Sequence, residues 1–301
     1  MNNTKVVLLF GAGASYGSGI LNPPPLSKDL YESLHNSFGE TWGKIDNKYD
    51  TFFSPNFEKG MEWLYSEDGQ KSYNLNNLLR DLAIYFDGFH IDNYKPNLYS
   101  QLINKFKKEI IERRIVPTTL NYECLLEYAY FSNGINTISY QGSDHPPILK
   151  IHGSCNFIPE GFKGSTEGFT LNLEQATIVT SIRPCKPGTV SNELRNVPII
   201  PAMSLFKSDK RDIVSPQFIA MIREQYQQLV TSASVVITVG VRPNPDDQHV
   251  WTVLKSVPKL YLVGNKDDSE KWRLQHPNSI FLGAEFGSSF NNILSIIRSA
   301  V

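Results

Sequence analysis

The sequence lacks the features that mark several common protein classes. Cysteine is scarce: there are three in 301 residues, Cys124, Cys155 and Cys185, and no two form a C-x-x-C pair. A zinc ribbon is therefore not encoded, and a disulfide framework is not expected. This usage fits a reducing compartment, and we expect a cytoplasmic protein with no bound metal. Long apolar runs are absent as well. The run within Met1–Phe10 stops at Gly11 without a cleavage pattern for a signal peptide, and nothing approaches the ~18–20 apolar residues of a membrane span. No sign of charge dominates, since 29 Lys and Arg balance 30 Asp and Glu for a net charge of −1. A surface built for nucleic acid needs clustered cations. The densest basic stretch, Lys105–Arg114, is diluted by Glu109 and Glu112 and reads as the solvated face of an amphipathic helix.

What is present is a core-forming chain. Hydrophobic residues make up 41% of it, which excludes wholesale disorder. Its length suits one large domain or two lobes. Val6–Phe10 is an unbroken apolar run ended by glycine, the pattern of a strand buried on both faces. From Ser27 to Arg114 the periodicity is helical, with faces Leu30/Tyr31/Leu34/Phe38, Phe57/Met61/Leu64, Leu75/Leu78/Leu79/Leu82/Tyr85/Phe86 and Leu98/Leu102/Phe106/Ile110. Four helices in succession after one strand read as an insertion. Strand patterns return at Ile115–Thr119, Asn136–Tyr140, Ile148–Ile151, Val197–Ile200, Val235–Gly240, Leu260–Val263 and Ser279–Leu282. Helical patterns at Glu123–Phe131, Gln217–Thr231, Asp247–Leu254 and Phe290–Arg298 alternate with several of them. Such alternation predicts an α/β fold: a Rossmann-like parallel sheet with helices on both faces. Residues 1–26 and 115–301 would form the sheet domain and 27–114 an inserted helical lobe. Ser154–Asn196 is loop-rich, with an apolar or alternating piece near Phe169–Val179 that the pattern does not place.

Five short segments sit at or just after a strand's expected C-terminal end, where an open parallel sheet collects its ligands. The first is Gly11-Ala12-Gly13-Ala14-Ser15, a turn whose backbone amides can approach a pyrophosphate, or which can simply pack a helix on a strand. The second is Thr119-Leu120-Asn121-Tyr122-Glu123. Asn121 offers a donor and an acceptor to a ribose or water, and Thr119 or Asn121 can equally cap a helix. The third is Lys150-Ile151-His152-Gly153-Ser154, which puts an imidazole, the usual general base near neutral pH, at the sheet edge. A structural histidine would look the same. Most of the other five histidines lie in polar or loop contexts. The fourth is Val239-Gly240-Val241-Arg242, with Asp246 and Asp247 opening the next helix, where carboxylates also favour the helix dipole. The fifth is Leu262-Val263-Gly264-Asn265, whose asparagine either bonds a ribose or turns the chain.

In this order the segments resemble the sirtuin family, and in particular its zinc-free bacterial branch. The resemblance implies that NAD is the substrate. Gly11, Ala12, Gly13 and Ser15 would cradle its phosphates, Asn121 would contact the nicotinamide ribose or the attacking water, and His152 would be the base. Thr119 and Glu123 would belong to the binding site, Gly240 and Asn265 would hold the adenosine half, and Asp247 would complete the fourth segment. The sequence departs from the deacylases of the family. Glu123 stands where Asp is usual, Ile20–Leu26 replaces a Pro-Asp-Phe-Arg stretch, the four zinc cysteines are missing, and Val241 follows Gly240 where serine is common. These departures point to the branch resembling NAD-hydrolysing effectors of bacterial antiphage defence, with products nicotinamide and ADP-ribose. Such an effector would be gated, as a homo-oligomer or by a partner protein. An NAD-dependent protein deacylase, a non-catalytic NAD or ADP-ribose sensor, and an interaction module that binds no nucleotide are the competing expectations.

Overall fold

Val6–Phe10 form strand β1, with all five side chains fully buried. Val6, Leu8 and Phe10 enter one apolar cluster, and Val7 and Leu9 enter another on the opposite face. Cover on both sides is why the run has no polar alternation. Each such side chain contributes about 1.5–3 kcal/mol on burial. The structure is a computed structural model that describes residues 4–53, 56–141, 145–161, 177–195, 197–204 and 212–301.

After β1 come α1 (Ala12–Tyr16), α2 (Ser27–Ser37), α3 (Asp50–Phe53), α4 (Phe57–Leu64), α5 (Glu67–Ser72), α6 (Leu75–Asp87), α7 (Leu98–Lys105) and α8 (Lys107–Ile111). Next are β2 (Ile115–Thr119), α9 (Leu125–Ser132), β3 (Leu149–Lys150), β4 (Phe157–Pro159), β5 (Ile182–Pro184), α10 (Val190–Leu194) and α11 (Pro216–Ser232). The chain ends with β6 (Val235–Val239), α12 (Gln248–Leu254), β7 (Leu260–Val263), α13 (Lys266–Gln275), β8 (Ser279–Gly283) and α14 (Phe286–Ala300). In the helical region, Asn56, Asn74 and Asn97 each accept a bond from the amide three residues on, which starts α4, α6 and α7. Caps of this kind add about 0.5–2 kcal/mol each.

The main sheet runs β3-β2-β1-β6-β7-β8, and every neighbouring pair is parallel. Helices cover both faces, α2, α6, α11 and α12 on one and α7, α9 and α14 on the other. The expected Rossmann-like sheet is therefore present. Chain order reverses between β1 and β6, and the crevice of such a sheet opens at the C-terminal ends of the strands beside that reversal.

Several elements differ from expectation. The Leu98–Ile110 helix breaks at Phe106, which has φ −120°. Its apolar residues Leu102, Phe106 and Ile110 share a cluster with Val6, Leu8 and Phe10, so α7 and α8 sit on the sheet as the crossover from β1 to β2. Asn136–Tyr140 is not a strand but a single bridge from Ser139 to Pro147, because neither Pro146 nor Pro147 has an amide to extend the ladder. Val197–Ile200 is not a strand either. The Pro198 carbonyl accepts a bond from Asn76 Nδ2 at 2.8 Å and the Val197 carbonyl one from Arg80, so α6 takes those backbone groups. Within Ser154–Asn196, β4 and β5 form an antiparallel pair. Of the Phe169–Val179 piece, positions 169–176 lie outside the described residues, and Ile178 bridges to Val214. Among the described residues no helix is long and apolar enough to cross a membrane.

Candidate active site

The crevice is built first from backbone. The Gly11 amide donates to the Val239 carbonyl at 3.0 Å, and the Gly13 amide to the Gly240 carbonyl at 3.1 Å. A Cβ on Gly11 would sit 2.6 Å from Gly240 O, and one on Gly240 would sit 2.0 Å from Ala14 N. Gly240 also has φ +63°, a region other residues enter only with strain. The two glycine turns thus let the ends of β1 and β6 touch main chain to main chain, with Ala12 on the exposed side.

Beneath this contact lies a closed hydrogen-bond hub. Ser15 Oγ donates to Glu123 Oε1 at 2.5 Å and accepts from Asn121 Nδ2 at 2.9 Å. Its single proton is therefore used, so the 3.0 Å contact with Tyr99 is a bond donated by the phenol. Glu123 Oε1 also accepts from Asn121 Nδ2 at 3.0 Å, while Glu123 Oε2 accepts the Leu125 amide at 2.7 Å and opens α9. Burial, with the Glu123 charge adding to it, pushes the Tyr99 phenol well above its ordinary range and keeps it protonated as a donor. Asn121 Nδ2 donates to both Ser15 and Glu123, and Asn121 Oδ1 is the acceptor of the half-buried side chain. Thr119 Oγ1 donates to the Phe10 carbonyl at 3.1 Å and accepts the Asn121 amide at 3.0 Å, so it shapes the loop from beneath.

His152 enters from the end of β3. Gly153, at φ +78°, makes the turn after it, where a Cβ would lie 2.1 Å from Ala202 O. The main chain around the histidine is clamped. The Ile151 carbonyl accepts Arg223 Nε at 3.2 Å, and the His152 carbonyl accepts the Ser204 amide at 2.8 Å. Arg223 is held in turn by Asp212, with Nη1 2.5 Å from Oδ2 and Nη2 3.0 Å from Oδ1. The buried imidazole meets a carboxylate: His152 Nε2 is 2.9 Å from Asp247 Oδ2, with both side chains under one-tenth exposed. An ionised carboxylate at that distance stabilises the imidazolium formed when the ring takes a proton. His249 lies beside the pair. Burial, then the Arg223 charge, lowers its pKa, with His152 contributing in the same direction and Asp247 and Asp212 opposing.

The β2 and β3 loops are bonded to each other. The Tyr122 carbonyl accepts the Cys155 amide at 3.0 Å and Ser154 Oγ at 3.1 Å. Lys150, fully buried, pairs with Glu127 at 3.2 Å and donates to the Glu123 carbonyl at 2.5 Å. Although burial opposes its charge, the Glu127 carboxylate holds the Lys150 ammonium above its ordinary pKa. Asn265 sits further out, exposed beyond β7, where its Oδ1 accepts the Asp268 amide at 3.0 Å and caps α13.

The structure thus gathers Gly11, Gly13 and Gly240 at one contact, Ser15, Asn121 and Glu123 in one hub, and His152 with Asp247 in a pair. Asn265 lies at the same sheet edge with its acceptor engaged in a cap. Sequence reasoning missed Tyr99, His249 and the Arg223–Asp212 pair. Tyr99 and the Arg223–Asp212 pair reach the site from helices and a loop remote in sequence, whereas His249 lies two residues beyond Asp247 and was passed over among the histidines in polar contexts.

The sequence matches no family model and no curated protein. Solved structures do match. A Sir2 homologue in complex with NAD aligns over 98% of this chain and 90% of its own, at 14% identity and a TM-score of 0.50. The chain has the sirtuin fold. A mutant Sir2 homologue solved with ADP-ribose aligns at 13% identity over 98% and 91% of the two chains, with a TM-score of 0.45. Sir2 bound to an acetylated peptide aligns at 15% identity over 98% and 92%, with a TM-score of 0.43. In this fold the Gly11–Gly240 contact marks the crevice at the strand reversal.

Proposed function

We propose that this chain hydrolyses NAD to nicotinamide and ADP-ribose. The observation that carries the reading is the His152–Asp247 pair at 2.9 Å, set at the same sheet edge as Asn121 and the glycine contact. The likeness to a Sir2 homologue solved with NAD supplies the substrate class. NAD lies across the crevice with its pyrophosphate near Gly11, Ala12 and Gly13, the adenosine half toward Gly240 and Asn265, and nicotinamide toward the Ser15–Glu123 hub that Thr119 supports. The nicotinamide–ribose bond breaks through an oxocarbenium-like state, and nicotinamide leaves with the bonding pair. Asn121 Oδ1 orients the ribose or the water that attacks. His152 accepts the water's proton, with Asp247 balancing the charge.

Unchecked hydrolysis would drain a cell of NAD, so we infer a gated effector of bacterial antiphage defence that acts in the cytoplasm. The gate is a second copy of the chain or a partner protein on the helices between β1 and α7, within the segment expected as the helical lobe, 27–114. That lobe presents a stacked aromatic patch: Phe52 is 42% exposed, with its ring 5.3 Å from Trp63. Full activity from a purified monomer would remove the gate.

The test is nicotinamide release from NAD by the purified chain and by His152→Ala. Release that depends on His152 supports the reading, and equal release from both proteins overturns the role of His152. Release that requires an acetyl-lysine peptide assigns deacylation instead. Tight NAD binding without release, in the presence of every candidate partner, assigns a sensor.

A further inference from the structure

The three cysteines are scattered in sequence but gather in space. Cys124, Cys155 and Cys185 are all buried, and the sulfurs of Cys124 and Cys155 are 3.8 Å apart, in contact as an S–H···S pair. Cys124 directly follows Glu123, and Cys155 lies three residues beyond His152. The pair therefore spans the loop after β2 and the loop after β3, the two segments that carry Asn121 and His152.

Two chemistries suit a buried pair of thiols, metal ligation and oxidation. A carboxylate oxygen of Asp87 lies within 4.8 Å of both sulfurs, which completes a set of three metal-ligating groups. That carboxylate is already engaged: Oδ1 accepts the Gly188 amide at 2.7 Å and Oδ2 the Val190 amide at 2.9 Å. A cation also occupies the neighbourhood, because the Lys150 ammonium donates to the carbonyl of Glu123, the residue before Cys124. A fixed ammonium repels a second cation and stabilises a thiolate.

We propose that Cys124 and Cys155 form an oxidisable dithiol that a peroxide converts to a disulfide. One thiol gives up its proton, and its thiolate attacks a peroxide oxygen, displacing hydroxide and forming a sulfenic acid. The second thiol attacks the sulfenic sulfur, the S–S bond forms and water leaves. Overall two thiols and one hydrogen peroxide give one disulfide and two waters. The sulfurs close from 3.8 Å to about 2.05 Å, which ties the Asn121 and His152 segments covalently. The hydrogen bond to Cys155, together with burial, pushes the Cys124 thiol well above its ordinary range. The resting Cys124 thiol is therefore protonated. The proposal stands on the thiols' geometry and is independent of the NAD reading.

The test uses the full chain. Reduced protein is exposed to hydrogen peroxide, unfolded, alkylated with iodoacetamide and digested with trypsin without reduction. The expected product is peptide 115–150 joined to peptide 151–163 with the loss of two hydrogens, and with Cys185 alkylated. The link survives in Cys185→Ser and disappears in Cys124→Ser. Three alkylated cysteines in peroxide-treated wild-type protein overturn the proposal. So does a link through Cys185, or one zinc per chain that copurifies and protects both thiols.

Discussion

His152 Nε2 and Asp247 Oδ2 are 2.9 Å apart although β3 and β6, the strands that precede them, are separated in the sheet by β2 and β1. Three strand spacings amount to roughly 14 Å, so the two loops must arch across the ends of the intervening strands to meet. Asp247, expected in the fourth segment to bind NAD, lies within ion-pair distance of the histidine, and under the proposed mechanism it would balance the imidazolium charge. Asp247→Asn keeps the shape and removes the charge. It is expected to lower kcat for nicotinamide release by ~10–100-fold with little change in KM. A raised KM at unchanged kcat would return Asp247 to substrate binding.

Asn121 has its amide hydrogens on Ser15 and Glu123. Asn121→Asp would place a second carboxylate against Glu123 and disturb the hub, whereas Asn121→Ala removes the acceptor and the Ser15 and Glu123 bonds without adding a charge. Asn121→Ala is expected to lower turnover by ~10²–10⁴-fold while NAD still binds in calorimetric titration. Loss of binding, with residual turnover at saturating NAD, would make Asn121 an affinity residue.

The glycine contact predicts a stability effect. In Gly240→Ala a methyl group would meet Ala14 N at 2.0 Å on a backbone with φ +63°. The backbone strain alone costs about 1–3 kcal/mol, and the clash adds to it. A clear fall in the thermal midpoint is expected. Gly39→Ala, where a Cβ would meet nothing within 4 Å, should leave the midpoint in place. Equal midpoints for both variants would show that the β1–β6 contact yields.

Most of the sheet was legible in the sequence, because strands covered on both faces are mostly apolar, with only buried threonines such as Thr118, Thr119 and Thr238 interrupting them. Val6–Phe10, Val235–Val239 and Leu260–Val263 show this directly. Runs beside proline misled, as at Asn136–Tyr140 and Val197–Ile200, because apolar content says nothing about a missing amide. The site was legible where its residues end a strand, as Gly11, Asn121, His152 and Gly240 do. It was not legible where contact depends on tertiary closure. No local pattern shows Tyr99 reaching Ser15 across 84 positions, or Cys124 touching Cys155 across 31.

The Lys150–Glu127 pair, with both side chains wholly buried, makes a separate demand. Lys150→Met leaves the Glu127 carboxylate without its cation and strips a donor from the Glu123 carbonyl. Removing one partner of a buried pair costs about 3–5 kcal/mol. Urea unfolding of Lys150→Met is expected to show a loss of that order, and Lys150→Met/Glu127→Gln to recover part of it. A double variant no more stable than the single one would locate the cost in the lost carbonyl bond.

His249 gives stability a pH dependence with a definite sign. Burial, then Arg223, lowers its pKa in the folded chain below the ordinary histidine value. Above that value, about 6.5, both folded and unfolded chains carry a neutral ring and its contribution is complete. As the pH falls, the unfolded chain binds the proton first, so stability drains away between about 6.5 and the lower folded value. The thermal midpoint of the wild type is expected to fall between about pH 7.5 and 5.5 more steeply than that of His249→Gln, whose side chain does not titrate. Parallel slopes would mean that His249 titrates alike in both states and that its neighbours Asp247 and Asp212 cancel the burial. In that case the ring beside the His152–Asp247 pair becomes charged under mild acid, and the pair itself must be read as working next to a cation.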